Sequence, residues 1–132
     1  MGVSAFATKR LSAAPDVLAP DGSEVRILLS LAGGSMAHFR LAERQVARAV
    51  VHRTVEELWF VTAGSGDLWR SQNGREQVVG LAPGVSVSIP VGTAFQFRAA
   101  PHEALEIIGV TMPPWPGPDE ALPTDGPWAA TV

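Results

Sequence analysis

The sequence predicts an all-β domain: short antiparallel strands closed into a sandwich or barrel. Three observations carry that expectation. Runs rich in β-branched and aromatic residues recur along residues 25–112, with Gly, Pro and Asn-Gly turns at regular spacing between them. The only helix-compatible stretch, "AERQVARA", is short and carries β-branched Val46, so it reads as a loop. Cysteine is absent, so the fold must rest on its apolar core, and 132 residues are enough for one.

The first segment, residues 1–23, is rich in small residues. It reads as an arm with one short edge strand near Ala5–Leu11. "VRILLSL", Val25 to Leu31, is a strand; "AGGS" turns the chain; "MAHFRL", Met36 to Leu41, returns. From Arg48 onward the pattern is strand and turn. "ELWFVT", Glu57 to Thr62, ends at the Gly64-Ser65-Gly66 turn, and "DLWRS" and "QVVGLA" flank Asn73-Gly74, a strong hairpin signal. After Pro83-Gly84, "VSVSIP" alternates strictly. "VGTAFQFRA" and "ALEIIGVTM" complete the set, separated by "APHE". Residues 113–132 carry many prolines with Trp115 and Trp128. Proline stops ladder pairing, and tryptophan is costly to leave in water, so this tail is expected to lie along the barrel or a neighbouring subunit.

Composition excludes several function classes. The net charge is −3, with 10 Lys+Arg and no basic run, which argues against nucleic acid as a partner. No apolar stretch approaches the length of a membrane span. No apolar run follows Lys9 and Arg10, so a secretory signal is not expected and a cytoplasmic location is. Without cysteine, disulfides, thiol catalysis and thiolate metal ligands are ruled out. Any metal must use His, carboxylate or water.

The chemistry concentrates in "VVHRTVEELWFVTAGSG", residues 50–66, where His52 precedes Glu57 on a strand that ends in a Gly-x-Gly turn. Four residues separate His52 from Glu57, and six separate Glu57 from Gly64. Downstream, Gly84 is followed after five residues by Pro90-x-Gly92. In these spacings the chain resembles the cupin family across roughly residues 24–112. The resemblance implies an antiparallel double-stranded β-helix, a jelly-roll barrel. It also implies a metal site of three histidines and one glutamate, of which His52 and Glu57 stand at their positions. The other two histidine positions fall on Val50 and Phe95, the leading glycine of the first motif on Arg44, and the closing asparagine of the second on Ala99.

Two protein ligands hold a first-row cation poorly against water, and catalytic sites usually keep three. His38 is the internal candidate for a third. A His38, His52, Glu57 triad is of the type that suits non-haem iron. Strand alternation puts Met36, His38 and Arg40 on one face, and the sequence leaves open which face looks inward. No cofactor is expected otherwise, with a divalent transition metal as the alternative. Without metal, His52 and Glu57 are expected to hydrogen-bond each other, either as a satisfied polar pair or as an acid/base pair.

The same alternation brings Val50, His52, Glu57, Trp59, Phe95 and Phe97 to one cavity, joined by Met36, His38 and Arg40 if their face turns inward. Such a cavity suits a small apolar or aromatic molecule. The competing expectation is that the aromatic rings simply fill a narrow barrel. Arg40, Arg48 and Arg53 are candidates to complement a carboxylate or enolate. Three readings follow: a small-molecule-binding protein with metal-independent isomerase- or cyclase-type chemistry, a metal-dependent dioxygenase-like enzyme, and a non-catalytic dimeric module. A homodimer is expected, with sheet edges covered by the arm and tail.

Overall fold

The computed structural model describes residues 4–132, and residues 1–3 of the arm lie outside that range. Among the described residues, eleven strands form two antiparallel sheets. They are β1 (Val17–Leu18), β2 (Glu24–Leu31), β3 (Gly34–Leu41), β4 (Val50–His52), β5 (Glu56–Ala63), β6 (Gly66–Gln72), β7 (Arg75–Leu81), β8 (Ser86–Ile89), β9 (Ala94–Ala99), β10 (Leu105–Met112) and β11 (Ala121–Pro123). One sheet runs β1-β2-β3-β10-β5-β8 and the other β11-β4-β9-β6-β7. Chain neighbours pair where tight turns join them, as in β6 and β7 around Asn73-Gly74. The long-range pairs β3–β10 and β5–β10 place the last long strand in the middle of the first sheet.

The turn skeleton matches the demands of its positions. Gly64 has φ 75°, and a β-carbon there would stand 1.7 Å from the Ala104 carbonyl oxygen, so no other residue fits without moving β10. Arg44, at the position of the family's leading glycine, adopts the same left-handed region with φ 70°. Its amide is tied to the Ala100 carbonyl at 2.9 Å, so the bend survives the loss of glycine.

One end of the barrel is packed solid. Leu41, Val61, Leu68, Leu81, Phe97, Leu105 and Ile107 are all buried there. Toward the other end, the inward positions of the same strands change character: Phe39 and Ala37 on β3, Trp59 and Glu57 on β5, Gly109 and Thr111 on β10 line a cavity. The barrel is therefore packed core at one end and cavity at the other, with Phe97 in the first and Phe39, Trp59 and Phe95 along the second.

One segment differs from expectation. Residues 5–11 form no strand. Instead the Arg26 guanidinium donates to the Ser12 and Ala13 carbonyls, both at 2.9 Å, and holds the arm against the outside of the sheet, while β1 takes the edge of β2. The tail packs on its own barrel. β11 pairs with β4, and the Gln96 side chain both donates to and accepts from the Trp128 backbone. The Trp128 ring lies 4.0 Å from the Arg98 guanidinium carbon, a cation–π contact.

Candidate functional site

The cavity has a volume of about 450 Å³. Its walls come from four parts of the chain. The inner face of the first sheet supplies Phe39, Glu57, Trp59 and Gly109; the second supplies Val50, His52 and Phe95. Residues 17–21 close one side, and Trp115, Pro118 and Ala121 of the tail close another. Gly109 keeps the floor open, since a β-carbon on it would stand 2.5 Å from Phe39 Cε2 and 3.2 Å from Glu57 Oε2.

The aromatic rings touch in sequence around this space. Trp59 meets Phe95 edge-on with centres 5.8 Å apart and Phe39 at 6.3 Å. His52 meets Phe95 at 5.1 Å and Trp115 at 5.2 Å. Phe97 packs behind Trp59, centres 4.9 Å apart, as buried core rather than cavity wall.

His52 and Glu57 meet as the alternation requires, both almost fully buried. They do not hydrogen-bond. His52 Nδ1 lies 3.9 Å from Glu57 Oε1, beyond hydrogen-bonding reach, and has no partner. The Trp59 indole N–H is also buried without a partner. Burial pushes the Glu57 carboxyl up to about 8. The Trp59 indole N–H, close to the carboxyl but outside hydrogen-bond geometry, holds it back, and the nearby Asp21 carboxyl raises it further. Burial also lowers the His52 value, against a smaller upward pull from Glu120. Near neutral pH the site therefore presents a neutral imidazole beside a protonated carboxyl.

His38 does not join them. It points out of the barrel, where its Nε2 meets Glu106 Oε1 at 2.8 Å beside Arg26, its cross-strand neighbour. Interior positions on β3 belong to Ala37, Phe39 and Leu41, so the face carrying His38 and Arg40 turns outward. Arg40 instead reaches Glu24 at 3.4 Å. The expected His38, His52, Glu57 triad is not assembled, and among the described residues no three His, Asp or Glu side chains are grouped to hold a metal ion. The donors that do meet, one imidazole and one carboxyl, do not make a site for the family's metal. Val50 and Phe95 face each other across β4 and β9 and line the cavity with apolar surface where the resemblance puts ligands.

None of the three candidate arginines reaches the cavity. Arg48 donates to the Val132 and Pro20 carbonyls on the outside. Met36 does line the cavity, though it is 41% exposed. Trp69 lies on the outer side of the second sheet with its N–H on Glu76, away from the site.

Sequence reasoning missed Glu120. This buried carboxylate in the single turn Pro118–Glu120 accepts from Thr54 Oγ1 at 2.6 Å, from the Thr54 amide and from the Val55 amide at 2.8 Å. Burial would push its carboxyl up, but those hydrogen bonds, with help from His52, hold it below the usual carboxylate range. It thereby pins the tail between Trp115 and β11. One of three acids in a proline-rich tail, beside Asp119 and near Asp125, gave no signal of this. Asp21, buried and bonded to Ser23 at the cavity's side, was likewise hidden in the arm.

No protein-family model and no curated protein matches the chain. Solved structures do resemble it. An uncharacterised double-stranded β-helix protein from Klebsiella pneumoniae superposes with TM-score 0.64 at 14% identity, over 89% of this chain and 90% of that one. KdgF from Halomonas sp. superposes with TM-score 0.60 at 16% identity, over 70% and 79%. A variant of oxalate decarboxylase from B. subtilis reaches TM-score 0.73 at 14% identity, over 92% of this chain but 34% of that one. With its two antiparallel sheets and these neighbours, the chain has the cupin double-stranded β-helix fold, with apolar Val50 and Phe95 at the two positions where the resemblance expects histidines.

Proposed function

We propose that the chain binds a small, largely apolar molecule in this cavity and exchanges protons with it through His52 and Glu57. The observation that carries this reading is the convergence of unpartnered polar groups on one apolar space. His52 Nδ1 and Trp59 Nε1 are buried without hydrogen-bond partners beside the Glu57 carboxyl. A folded core pays heavily for such groups, and a ligand with matching polar atoms relieves that cost. The volume and aromatic lining suit a compact ring-bearing molecule.

The protonation states favour acid/base work over metal chemistry, because the donor set is one imidazole and one carboxyl. Neutral His52 is the base that takes a proton from one substrate atom, and protonated Glu57 is the acid that returns one to another. Turnover leaves imidazolium and carboxylate, and a proton crossing the short gap between them resets the pair. Isomerisation and cyclisation are the reaction classes of this form.

Calorimetric titration with phenethyl alcohol, a neutral aromatic probe, tests the reading. The expected result is saturable binding at one site that His52→Ala and Trp115→Ala each weaken. Absence of saturable binding, or binding unchanged in both variants, would overturn it.

A further inference from the structure

The charge of the cavity narrows the class of ligand. Among its lining residues the titratable side chains are Asp21, His52 and Glu57, and no Lys or Arg lines it. The groups that act on this cluster from outside are Glu120, close to His52, and Arg48, close to Asp21. Two carboxyls, Glu57 and Glu120, thus lie near the imidazole, and Asp21 lies near Glu57, with a single guanidinium, that of Arg48, near Asp21 and hydrogen-bonded to the backbone oxygens of Val132 and Pro20. An anionic ligand would enter this space without a cation to meet it. The remaining walls are aromatic: Phe39, Trp59, Phe95 and Trp115. Aromatic faces attract cations, most strongly where water is excluded.

We propose that the cavity takes a protonated amine, its ammonium group seated against Glu57 and its hydrocarbon part among Trp59, Phe95 and Trp115. This rests on the reading of the cavity as a ligand site and adds the ligand's charge to it; because an ammonium ionises Glu57, it is held as a bound ligand and does not pass through the proton exchange in which Glu57 is the acid. The seat gives partners to His52 Nδ1 and Trp59 Nε1, the two unpartnered atoms on residues that line the cavity; His38 Nδ1 and Thr93 Oγ1, also buried without partners, belong to residues that do not line it. The ammonium donates to Glu57 and to neutral His52 Nδ1, and the Trp59 N–H, already close to Glu57, donates to the carboxylate that the cation stabilises. Glu57 holds its proton up to about pH 8 because burial dominates and Asp21 adds to it, with no Lys or Arg among the residues that line the cavity. An arriving ammonium supplies that missing charge, and Glu57 gives up its proton to water.

Three probes of one shape separate the alternatives: phenethylamine, phenethyl alcohol and hydrocinnamate, each titrated calorimetrically into the wild-type protein. The amine is expected to bind about tenfold or more tighter than the alcohol at pH 8, and hydrocinnamate not to bind. Amine affinity should fall as pH drops from 8 to 6, by up to about tenfold per unit, with proton release seen in buffers of different ionisation enthalpy. Glu57→Gln should abolish the preference for amine over alcohol. If the alcohol binds and the amine binds no tighter, or the preference survives Glu57→Gln, the cation seat is wrong while the ligand site stands. If none of the three binds, both fall together.

Discussion

The indole of Trp115 stands edge-on to the imidazole of His52, ring centres 5.2 Å apart, and brings the proline-rich tail into the wall of the cavity. The contact is held from both sides. The Trp115 amide donates to Ser35 Oγ at 2.9 Å, and Glu120, five residues on, is clasped by the backbone before β5. Trp115→Ala removes the ring and lets water reach His52. The expected cost in stability is about 1–3 kcal/mol, below that of a fully buried tryptophan because Trp115 is only partly covered. The more telling readout is the imidazole itself. Burial lowers the His52 value, so the variant should bring it back toward 6.5, followed by the ring-proton shifts in an NMR titration. An unchanged titration would mean that the tail does not shield the site.

That contact also marks how far the sequence could be read. Strand alternation was enough to bring His52, Glu57, Trp59 and Phe95 together, because side-chain direction in a strand is fixed by parity and turn spacing fixes the register. Parity does not say which face is inside, and His38 shows the consequence. The residue sits on a strand beside the site, and one alternation step points it at Glu106 instead. The tail and arm carry no periodicity. Their residues reach the cavity through hydrogen bonds scattered along irregular backbone, so Asp21, Trp115 and Glu120 were visible as residues but not as neighbours.

Glu57 makes stability depend on pH. Its carboxyl keeps a proton in the folded protein up to about 8, while the unfolded carboxyl loses it near its ordinary value of 4.5. Across that window the folded state binds more protons, so stability falls as pH rises through it. Asp21, raised by burial, acts in the same direction. His52 acts in the opposite one: its folded value lies below 6.5, so its contribution is lost as pH falls below 6.5. Glu57→Gln replaces the protonated acid with a neutral group of the same shape. It should match wild type near pH 4 and exceed it at pH 8, on the order of 3 kcal/mol. Urea denaturation across that range measures both. Parallel stability curves for the two proteins would show that Glu57 ionises freely in the fold.

Glu120 has the reverse linkage. Hydrogen bonds hold its carboxyl below the usual range, so its contribution is present above the unfolded value of 4.5 and is lost as pH falls through the lower folded one. Glu120→Ala leaves the Thr54 and Val55 amides without their acceptor and releases the Thr54 hydroxyl. The expected loss is about 2–4 kcal/mol. Exchange of amide hydrogens should accelerate in β11 and in residues 113–120 more than in β10. Uniform acceleration would mean that the tail has no separate attachment at this point.

Val50 and Phe95 test what the cavity lacks as a metal site. They face each other across β4 and β9, both buried and both lining the cavity, with His52 two residues along the same strand face and Glu57 opposite. The double variant Val50→His, Phe95→His puts three imidazoles and one carboxylate around one point, a donor number that holds a divalent cation against water where two do not. Binding would also draw the Glu57 proton off, since a ligating carboxylate must be ionised. Cobalt(II) is a suitable probe because its visible absorption reports coordination directly. The double variant should retain about one cobalt per chain after dialysis and bind it at least about 100-fold tighter than wild type. His38→Ala in the same background should change nothing, because His38 faces Glu106 outside the barrel. Tight cobalt binding by wild type would show that two apolar replacements have not dismantled the site. Loss of binding on His38→Ala would show that the outward strand face can turn in.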